Sequence, residues 1–417
     1  MEITIIKSSA LSVPKDFEVI EKTGIGHPDT LADGLAEHLS VKYSRYTKNK
    51  FGAILHHNFD KVGLLGGASY VTFGRGHLIK PIRVILNGRA STKFGAENIP
   101  INKLLIGWTK EYFKNRLYGV NPEKDLIFIL ELSNQSSPGK THSDKILKDA
   151  SRRFWFEPRG LEDLPELKNL FSNDTSLGVG YAPLSRVEKF ILELEMFLNS
   201  KKTRQKYSWL GTDIKIMCKR VKNDVSITVC IPQIADFVDS IDVYKENLQI
   251  CRKLLNQLAK KRQINLVELN INTRDKFDVY ELYLTATGTS LESGDEGLVG
   301  RGNRITGLIS PTNPYSMEGS CGKNPVYHIG KLYYLQAQLI ANEIYKKFKV
   351  NNQVFLGSQS GRKLEDPWIN VVILPKSISK ADEEKIKSIV KNKLERVNSL
   401  TKQIVGGRFD PCSNVRI

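Results

Sequence analysis

Apolar residues recur along the chain with two spacings, one typical of strands and one typical of helices. Residues 225–231 alternate apolar and polar side chains, as in a strand with one buried face. Leu31, Leu35 and Leu39 lie at helical spacing behind Pro28, a residue that is favoured in the first turn of a helix. The chain therefore combines amphipathic helices with half-buried strands.

Over the whole length, the two patterns alternate irregularly. Helices are predicted from Pro28, after Ser185, over residues 239–261 and 331–348, and from Ser379 with Asp382 in a capping box. Strands are predicted within residues 17–29, 51–72, 81–88, 126–136, 172–182, 210–231, 265–272, 279–290 and 350–374. Several sheet-and-helix units of similar size, without a linker or a low-complexity tract, indicate an α+β fold.

One stretch, from Gly294 to Lys331, fits neither spacing because it is rich in glycine and proline. Glycine has no Cβ, so backbone N–H groups in such a segment can approach a ligand closely. Arg301, Arg304 and Lys323 are interleaved with the glycines and suit a polyanion such as a chain of phosphates. A surface loop of mixed charge is the alternative, but connections of this length are uncommon unless they are functional or disordered. We interpret the stretch as a ligand site.

The chain carries a formal net charge of +17 over 417 residues. Nucleic acid, an acidic membrane surface or anionic small substrates would each favour such a charge. The basic residues are spread along the chain, as on a lysine-rich solvated surface. They also lack the interleaved aromatic residues of a base-stacking platform, so the pattern disfavours a nucleic-acid partner.

Neither a membrane nor an oxidising compartment is indicated. No apolar run is long enough to span a bilayer, and the N-terminus lacks the layout of a signal peptide. The five cysteines are scattered, odd in number and form no C-x-x-C pair, which predicts reduced thiols. We expect a cytoplasmic protein without membrane association.

Three polar groupings adjoin predicted elements. His27 and Asp29 fall at a helix start, where free N–H groups favour an anion, although Asp29 could instead cap the helix. The adjacent histidines at 56–57 face opposite sides of a predicted strand, which disfavours a metal site. Asp213 and Lys215 lie two apart on a strand and therefore face one side, either as a buried ion pair or as a pair that faces a ligand.

Five short motifs follow one another along the chain. They are GIGHPD at 24–29, NDTSLGVGYAP at 173–183, TDIK at 212–215, GDEGLVGRGNR at 294–304 and GKNPVYHIGK at 322–331. Neither a Walker A motif nor a strand–G-x-G-x-x-G–helix unit is present. The five motifs, in this order and over nearly the whole chain, resemble those of S-adenosylmethionine synthetases, the methionine adenosyltransferases, of the archaeal-type branch.

The resemblance implies a chain that joins ATP and L-methionine and then hydrolyses the tripolyphosphate so formed to phosphate and diphosphate. In that reaction the methionine sulfur attacks C5′ of ATP and the whole triphosphate leaves. A thioether needs no base, so orientation of the substrates and stabilisation of the leaving charge carry the catalysis. The resemblance also implies Mg²⁺ as a cofactor and leaves K⁺ open.

The resemblance assigns roles to individual residues. Those implied to act on the triphosphate are His27, Lys215, Arg301, Lys323, His328 and Lys331. Those implied to contact the nucleoside or methionine are Asp174, Asp213, Asp295 and Arg304, with Gln135, Ser143 and Asp144 as looser matches. Asp29 is implied to hold magnesium, and Asp295 is implied to receive the methionine amino group.

Several positions depart from the commoner bacterial and eukaryotic branch. Thr30 stands where that branch has lysine, Ala68 where it has glutamate, and Arg301 is followed by glycine rather than lysine. The last motif also lacks the aspartate that serves there as a second magnesium ligand. We expect His328 and Lys331 to replace the lost cations, while the second metal-ligand set stays open.

The family fold implies three similar sheet-plus-helix domains, interleaved in sequence in a pseudo-threefold arrangement. It also implies a homodimer with active sites at the subunit interface. The sequence divides approximately into 1–140, 141–275 and 276–417, although the true domains are expected to be discontinuous. Two other functions remain open: a non-catalytic basic nucleic-acid-binding protein on this fold, and an ATP-using transferase with a different acceptor.

Overall fold

The computed structural model describes residues 1–12, 15–135 and 154–407. The α-helices within those ranges are α1 (Pro28–Phe51), α2 (Ile101–Arg116), α3 (Arg186–Leu198), α4 (Lys201–Lys206), α5 (Ile241–Lys261), α6 (Ile329–Phe348), α7 (Lys380–Glu395) and α8 (Ser399–Val405). Their starts follow local chemistry. Ser185 and Glu188 form a capping box at α3. At α7 the Ser379 side chain caps the helix by accepting from Asp382 N, but the return bond of the predicted capping box is not found among the described residues.

The strands are short and lie mainly in three sheets. In chain order they are β1 (Thr4–Ser8), β2 (Phe17–Thr23), β3 (His57–Asn58), β4 (Gly63–Leu65), β5 (Ala68–Thr72), β6 (Arg75–Lys80), β7 (Ile82–Ala90), β8 (Lys93–Phe94), β9 (Glu97–Asn98), β10 (Leu126–Ser133), β11 (Ser176–Ala182), β12 (Lys215–Val221), β13 (Asp224–Cys230), β14 (Gln233–Ile234), β15 (Asn265–Ile271), β16 (Leu284–Thr285), β17 (Glu296–Leu298), β18 (Asn352–Ser358) and β19 (Ile369–Pro375). Sheet I has the order β10-β7-β4-β17 with β3 on β7, sheet II the order β15-β13-β12-β2, and sheet III the order β1-β19-β18-β11.

The three sheets share one pattern of strand directions. In sheet I, β10 is parallel to β7, whereas the β7–β4 and β4–β17 pairs are antiparallel. Sheet II repeats this pattern in the order β15, β13, β12, β2, and sheet III repeats it in the order β1, β19, β18, β11. The mixed α+β class is confirmed, and its three sheets are alike in strand order. Their arrangement about a threefold axis stays a prediction.

Each sheet buries one face against helices of its own. The apolar residues of α1 and α2 pack on sheet I, those of α3 and α5 on sheet II, and those of α6, α7 and α8 on sheet III. Every sheet therefore has a separate hydrophobic core cluster. Burial of this apolar surface is the main force that holds each helix layer on its sheet.

The units exchange their first strands in cyclic order. The strand before α1 is β2, which belongs to sheet II; the strand before α3 is β11, which belongs to sheet III; and the strand before α6 is β17, which belongs to sheet I. As a result, each sheet draws strands from at least two of the three approximate sequence ranges. The division into three interleaved domains, with its approximate ranges, stays a prediction.

The prediction of a strand over residues 279–290 is wrong for most of its length. Only Leu284–Thr285 is a strand, and it pairs with β14. Gly288 has a φ of 82°, and the buried Glu292 carboxylate accepts hydrogen bonds from the N–H groups of Ala286 and Thr287. These local bonds take up the donors that a strand would have offered to a neighbouring strand.

Residues 51–72 and helix α2 also differ from the prediction. Residues 51–72 contain the three short strands β3, β4 and β5 rather than two, although the paired glycines 66–67 do separate β4 from β5. Helix α2 is not among the predicted elements. Its buried positions have helical spacing, but Gly107 and Thr109 interrupt the apolar pattern.

In the part of the chain that the structure describes, no helix is both long enough and apolar enough to cross a membrane. Cys218, Cys230 and Cys251 there carry free thiols. The fifth cysteine, Cys412, lies outside the described residues.

Strand β11 packs against α6 through two glycines. A Cβ at Gly178 would overlap the backbone of Tyr333 and Tyr334, and a Cβ at Gly180 would overlap the backbone of Ala337 and Gln338. Backbone atoms of a helix cannot move aside as a flexible side chain can. The glycines of the NDTSLGVGYAP motif therefore allow sheet III and α6 to approach each other closely.

Gly180→Ala is expected to lower the free energy of unfolding by about 1–3 kcal/mol, because the added methyl group overpacks this contact. Gly107→Ala in α2 is the matched control, since a Cβ added there would meet nothing within 4 Å and alanine is favoured in helices by roughly 1 kcal/mol. Thermal unfolding followed by circular dichroism measures both. Equal melting temperatures for the two variants would contradict the close contact.

Candidate active site

Helix α1 begins at the first motif and is capped by a histidine. The Nδ1 atom of His27 accepts a hydrogen bond from Asp29 N at 3.3 Å, which makes His27 the N-cap. The Oδ1 atom of Asp29 instead accepts from Leu298 N at 3.0 Å. The alternative that Asp29 caps the helix is therefore wrong. Its carboxylate ties the glycine-rich loop to the first turn of α1.

Asp33, one turn further along α1, holds the next part of this loop. Its Oδ1 atom accepts from Gly300 N at 2.7 Å, and burial raises the pKa of its carboxyl to about 7. A Cβ at Gly302 would overlap the Asp33 carboxylate, and a Cβ at Gly297 would overlap the backbone oxygen of Pro28. Glycine is required at position 297 because the loop backbone there lies directly on the helix backbone, whereas a side chain at position 302 would displace the Asp33 carboxylate.

Three polar side chains of the loop follow this attachment. Asn303 exchanges two hydrogen bonds with the backbone of Thr23, which fixes the loop to the end of β2. Arg304 donates to Gly300 O at 2.7 Å and lies over the Tyr315 ring. Arg301 is exposed, and none of the ion pairs found among the described residues includes its guanidinium. The loop thus leaves Arg301 available to a ligand, whereas Arg304 stabilises the loop itself.

Asp213 is a buried carboxylate that binds the segment after β16. Its Oδ2 atom accepts from Ser290 N at 2.9 Å, from Ser290 Oγ at 2.5 Å and from Tyr283 Oη at 3.0 Å. Desolvation raises the pKa of Asp213, and the nearby His27 opposes this shift. Ser290 Oγ also lies 3.0 Å from Asp295 Oδ2, so one hydroxyl bridges the two carboxylates.

Lys215 does not pair with Asp213. Its ammonium lies 3.2 Å from Glu21 Oε1 on the neighbouring strand β2. Asp213 precedes β12 rather than lying on it, so the rule that places alternate strand residues on one face does not apply to this pair. The buried Asp213–Lys215 ion pair that the sequence left open does not form.

A cavity of about 490 Å³ brings four of the predicted residues together. His27, Asp213, Lys215 and Asp295 all line it, and Ser290 lies between the two carboxylates. A volume of this order is typical of small-molecule sites. The cavity combines carboxylates, which suit an ammonium group, with a lysine and a histidine at a helix N-terminus, which suit an anion.

Lys323 and His328 belong to a second group, near the start of α6. Lys323 is buried and paired with Glu318, and desolvation lowers its pKa to about 8. His328 caps α6 as His27 caps α1, with Nδ1 accepting from Gly330 N at 3.3 Å. Burial and the neighbouring lysines lower the pKa of His328 well below its usual value. This shift favours the neutral ring in the absence of an anionic ligand. The expected replacement of a lost cation by His328 stays a prediction.

Lys331 is fully buried in an ion pair. Its Nζ atom lies 2.6 Å and 2.8 Å from the two carboxylate oxygens of Glu37 on α1. Glu37 Oε2 also accepts from Gly322 N at 3.0 Å. Both carboxylate oxygens of Glu37 therefore pair with the Lys331 ammonium. The expected replacement of a lost cation by Lys331 stays a prediction. Lys331 locks α6 and the GKNPVYHIGK segment to α1.

The remaining predicted residues lie outside the 490 Å³ cavity. Asp174 sits in a turn in which its Oδ1 atom accepts from Thr175 N, and its charge acts on Lys323. Gln135 is exposed and donates its backbone N–H to Ser133 Oγ. Ser143 and Asp144 fall outside the described residues.

The sequence-based assignment missed Tyr283 and Ser290, which bind Asp213 directly. The only signal for them was the density of hydroxyl residues before Gly294. The histidines at 56–57 are buried and hydrogen-bonded to Tyr327 and Ser40. In the described part of the chain, no group of three or more His, Cys, Asp or Glu residues could hold a metal ion.

Comparison with known proteins assigns the class. A family model described as S-adenosylmethionine synthetase (AdoMet synthetase) matches residues 1–153 and 157–408. The chain therefore belongs to the S-adenosylmethionine synthetase family, a family of methionine adenosyltransferases. This membership confirms the resemblance drawn from the five motifs.

Individual relatives agree with this membership. The chain is 37% identical over 398 residues to a probable S-adenosylmethionine synthase of Aquifex aeolicus, with 95% of each chain covered. It is 39% identical over 402 residues to the S-adenosylmethionine synthase of Saccharolobus solfataricus, with 94% of each covered. A solved structure, an unusual S-adenosylmethionine synthetase from Campylobacter jejuni, shares the fold with a TM-score of 0.56 at 14% identity, over 96% of this chain and 97% of that one.

Lys331→Met is expected to lower the free energy of unfolding by about 3–5 kcal/mol, because it leaves the Glu37 carboxylate buried without a charge partner. Glu37→Gln combined with Lys331→Met is expected to recover most of that loss, since no buried charge remains. Chemical denaturation of the two variants measures the difference.

The control is an exposed ion pair between the same two kinds of residue, Lys42 and Glu111. Lys42 Nζ lies 2.9 Å from Glu111 Oε2. Lys42→Met is expected to cost less than about 1 kcal/mol. A loss for Lys331→Met no larger than for Lys42→Met would show that the buried pair does not hold α6 to α1.

Proposed function

We propose that this chain synthesises S-adenosyl-L-methionine from ATP and L-methionine, and then hydrolyses the tripolyphosphate to phosphate and diphosphate. The observation that carries the proposal is the 490 Å³ cavity in which Asp213 and Asp295 lie with His27 and Lys215. One side of this cavity suits the ammonium group of an amino acid, and the other suits a chain of phosphates. Family membership supports the same reaction.

The substrates are proposed to lie across the cavity. Asp295, held by Ser290, receives the methionine ammonium. His27 and Lys215, beside the free N–H groups at the start of α1, receive the triphosphate. Arg301 extends this cationic surface from the loop. Lys323, whose lowered pKa reflects desolvation, becomes fully charged when phosphate oxygens approach it.

The adenosyl transfer needs positioning rather than proton removal. The methionine sulfur attacks with its own lone pair, the S–C5′ bond forms as the C5′–O5′ bond breaks, and the bonding electrons leave with the triphosphate. Cationic side chains and N–H donors stabilise the charge that develops on the leaving oxygen. Residues that fix sulfur and C5′ in line contribute the remaining acceleration.

Asp29 fits the magnesium ion that the family implies. One of its oxygens is engaged by Leu298 N, and its side chain is 20% exposed beside His27. Mg²⁺ usually binds through one or two carboxylates together with substrate phosphates, so a single carboxylate next to a phosphate-binding surface is a suitable partner. Bound Mg²⁺ would neutralise part of the triphosphate charge. The described residues define no ligand set for K⁺.

We further propose that the active form is a homodimer with its active sites at the subunit interface. The outer face of sheet II carries exposed apolar residues beside its lysines: Phe17, Met217 and Val221 retain 49%, 44% and 46% of their accessible surface. Phe17 and Val221 are direct register partners, and Lys215 continues the same face of β12 towards the cavity. A second copy that covers this face would also cover the cavity mouth.

Incubation of the purified protein with ATP, L-methionine, Mg²⁺ and K⁺ is expected to yield S-adenosylmethionine, phosphate and diphosphate, measured by chromatography. His27→Ala and Lys323→Ala are each expected to lower kcat by about 100-fold or more, because each removes stabilisation of the leaving triphosphate. His77→Ala and Lys260→Ala are the matched controls, since both side chains are exposed and outside the cavity.

Phosphate release without the sulfonium product would instead favour an ATP-using transferase with a different acceptor. Absence of turnover in a folded protein, together with salt-dependent RNA or DNA binding, would favour the nucleic-acid-binding alternative.

Light scattering of the active protein is expected to give twice the chain mass of 47.1 kDa or a multiple of that value. Met217→Glu is expected to shift the mass towards the monomer and to lower activity, because it places a charge on the apolar face. Lys260→Glu, a charge change at the exposed end of α5, is the control. An active species at the mass of one chain would refute the dimer.

A further inference from the structure

A second cavity, of about 330 Å³, lies away from the proposed substrate cavity. It is lined by His56, Trp155, Glu166, Phe171, Asn173 and Tyr327, together with several smaller residues. None of its lining residues lines the 490 Å³ cavity. The family motifs do not account for it, because only Asn173 and Tyr327 belong to them.

Aromatic rings form much of its wall. The His56 ring stacks on Trp155, with centroids 5.3 Å apart and planes 13° from parallel. Its centroid also lies 4.9 Å from that of Tyr327 and 5.7 Å from that of Phe156. Phe171 adds a further ring that is partly exposed. Such a wall offers the negative faces of π systems to an occupant.

Three polar atoms of this wall are buried without a hydrogen-bond partner among the described residues: His56 Nε2, Glu166 Oε1 and Asn173 Oδ1. His56 Nε2 approaches Glu166 Oε1 to 3.3 Å, but without the alignment of a hydrogen bond. Buried polar atoms in native proteins are nearly always paired. Two unpaired acceptors, Glu166 Oε1 and Asn173 Oδ1, therefore indicate that the cavity takes an occupant that donates hydrogen bonds.

The hydrogen bonds fix the proton positions. Tyr327 is protonated, since burial raises its pKa well above the usual value, and its hydroxyl lies 2.7 Å from His56 Nδ1. The hydroxyl donates to Nδ1, so the imidazole proton is on Nε2, facing Glu166. Burial lowers the pKa of His56 to about 3, which keeps the ring neutral. His56 therefore brings no positive charge to Glu166.

Among the residues that the structure describes, Glu166 is thus a carboxyl group without a cationic partner. Its side chain is only 6% exposed, and within the described ranges no lysine or arginine forms an ion pair with it. Burial raises its pKa to about 7. A positive charge in the cavity would offset the free energy cost of burying the ionised Glu166 carboxylate. Aromatic faces attract the same kind of charge.

We propose that this cavity binds a small organic ammonium ion, with its N–H groups on Glu166 Oε1 and Asn173 Oδ1 and its carbon atoms against Trp155 and Phe171. The proposal does not rest on the proposed catalytic function. Asn173 adjoins Asp174 and Tyr327 adjoins His328, so an occupant of this cavity would contact the two segments next to Lys323.

Isothermal titration of the full-length protein with n-butylammonium chloride tests the proposal. Two ligand controls are used. The first is 1-pentanol, the neutral analogue of butylammonium, and the second is KCl at equal ionic strength. Saturable binding of butylammonium is expected, at least about tenfold tighter than that of pentanol, because one charge interaction is worth about 1.4 kcal/mol or more at a buried site. Glu166→Gln should weaken butylammonium binding by at least about tenfold. Glu162→Gln, an exposed carboxylate four residues away, should leave it unchanged.

The pH dependence supplies a second readout. Within the described ranges, the titratable groups that face Glu166 are His56 and Tyr327, and neither changes its charge between pH 6 and pH 8. Butylammonium stays charged in this range, like a lysine. Binding requires the ionised carboxylate, so affinity should rise about tenfold from pH 6 to pH 8. The Glu166→Gln variant should show no such rise.

Three outcomes would overturn the proposal. They are absence of saturable butylammonium binding, equal binding of pentanol, and equal binding by Glu166→Gln. Competition by K⁺ at the same concentration as butylammonium would assign the cavity to an inorganic cation and would also overturn it. Because the readout is binding, a failure here leaves the proposed adenosyltransferase activity intact.

Discussion

One close contact underlies the rest of the structure: the backbone of the glycine-rich loop lies directly on the first two turns of α1. Gly297 and Gly302 leave no room for a Cβ, and Asp29 and Asp33 accept hydrogen bonds from N–H groups of the loop. The same loop contains β17, which completes sheet I. This single contact therefore joins two sheet-plus-helix units and sets the position of the loop beside His27.

Elements with a strong local pattern could be predicted from the sequence, and those that depend on distant partners could not. Helices α1, α5 and α6 and strand β13 form where periodicity placed them. Residues 279–290 look like a strand because they are rich in threonine and apolar residues. They turn instead, because the buried Glu292 needs their N–H and hydroxyl groups. A carboxylate that organises its own turn leaves no periodic signal.

At the site, the sequence indicated the chemistry of the side chains but not their burial. His27, Asp213, Lys215 and Asp295 line one cavity because their motifs flank the ends of neighbouring elements. Lys331 looked like a free cation, but its partner Glu37 is 294 positions away in the chain. No pattern within GKNPVYHIGK contains that pairing. Whether a charged side chain of a motif is free or paired depends on tertiary packing, which cannot be predicted from the motif alone.

The exchange of strands among the three units also constrains how the chain acquires its shape during synthesis. Sheet III closes only when residues 4–8 pair with residues 371–375, and sheets I and II likewise combine distant segments. Contacts of such high sequence separation form slowly, and the apolar faces stay uncovered until they do. A growing chain on the ribosome cannot finish any sheet from one contiguous stretch. Each sheet is therefore completed only after a distant segment has been synthesised, and until then its apolar face favours aggregation.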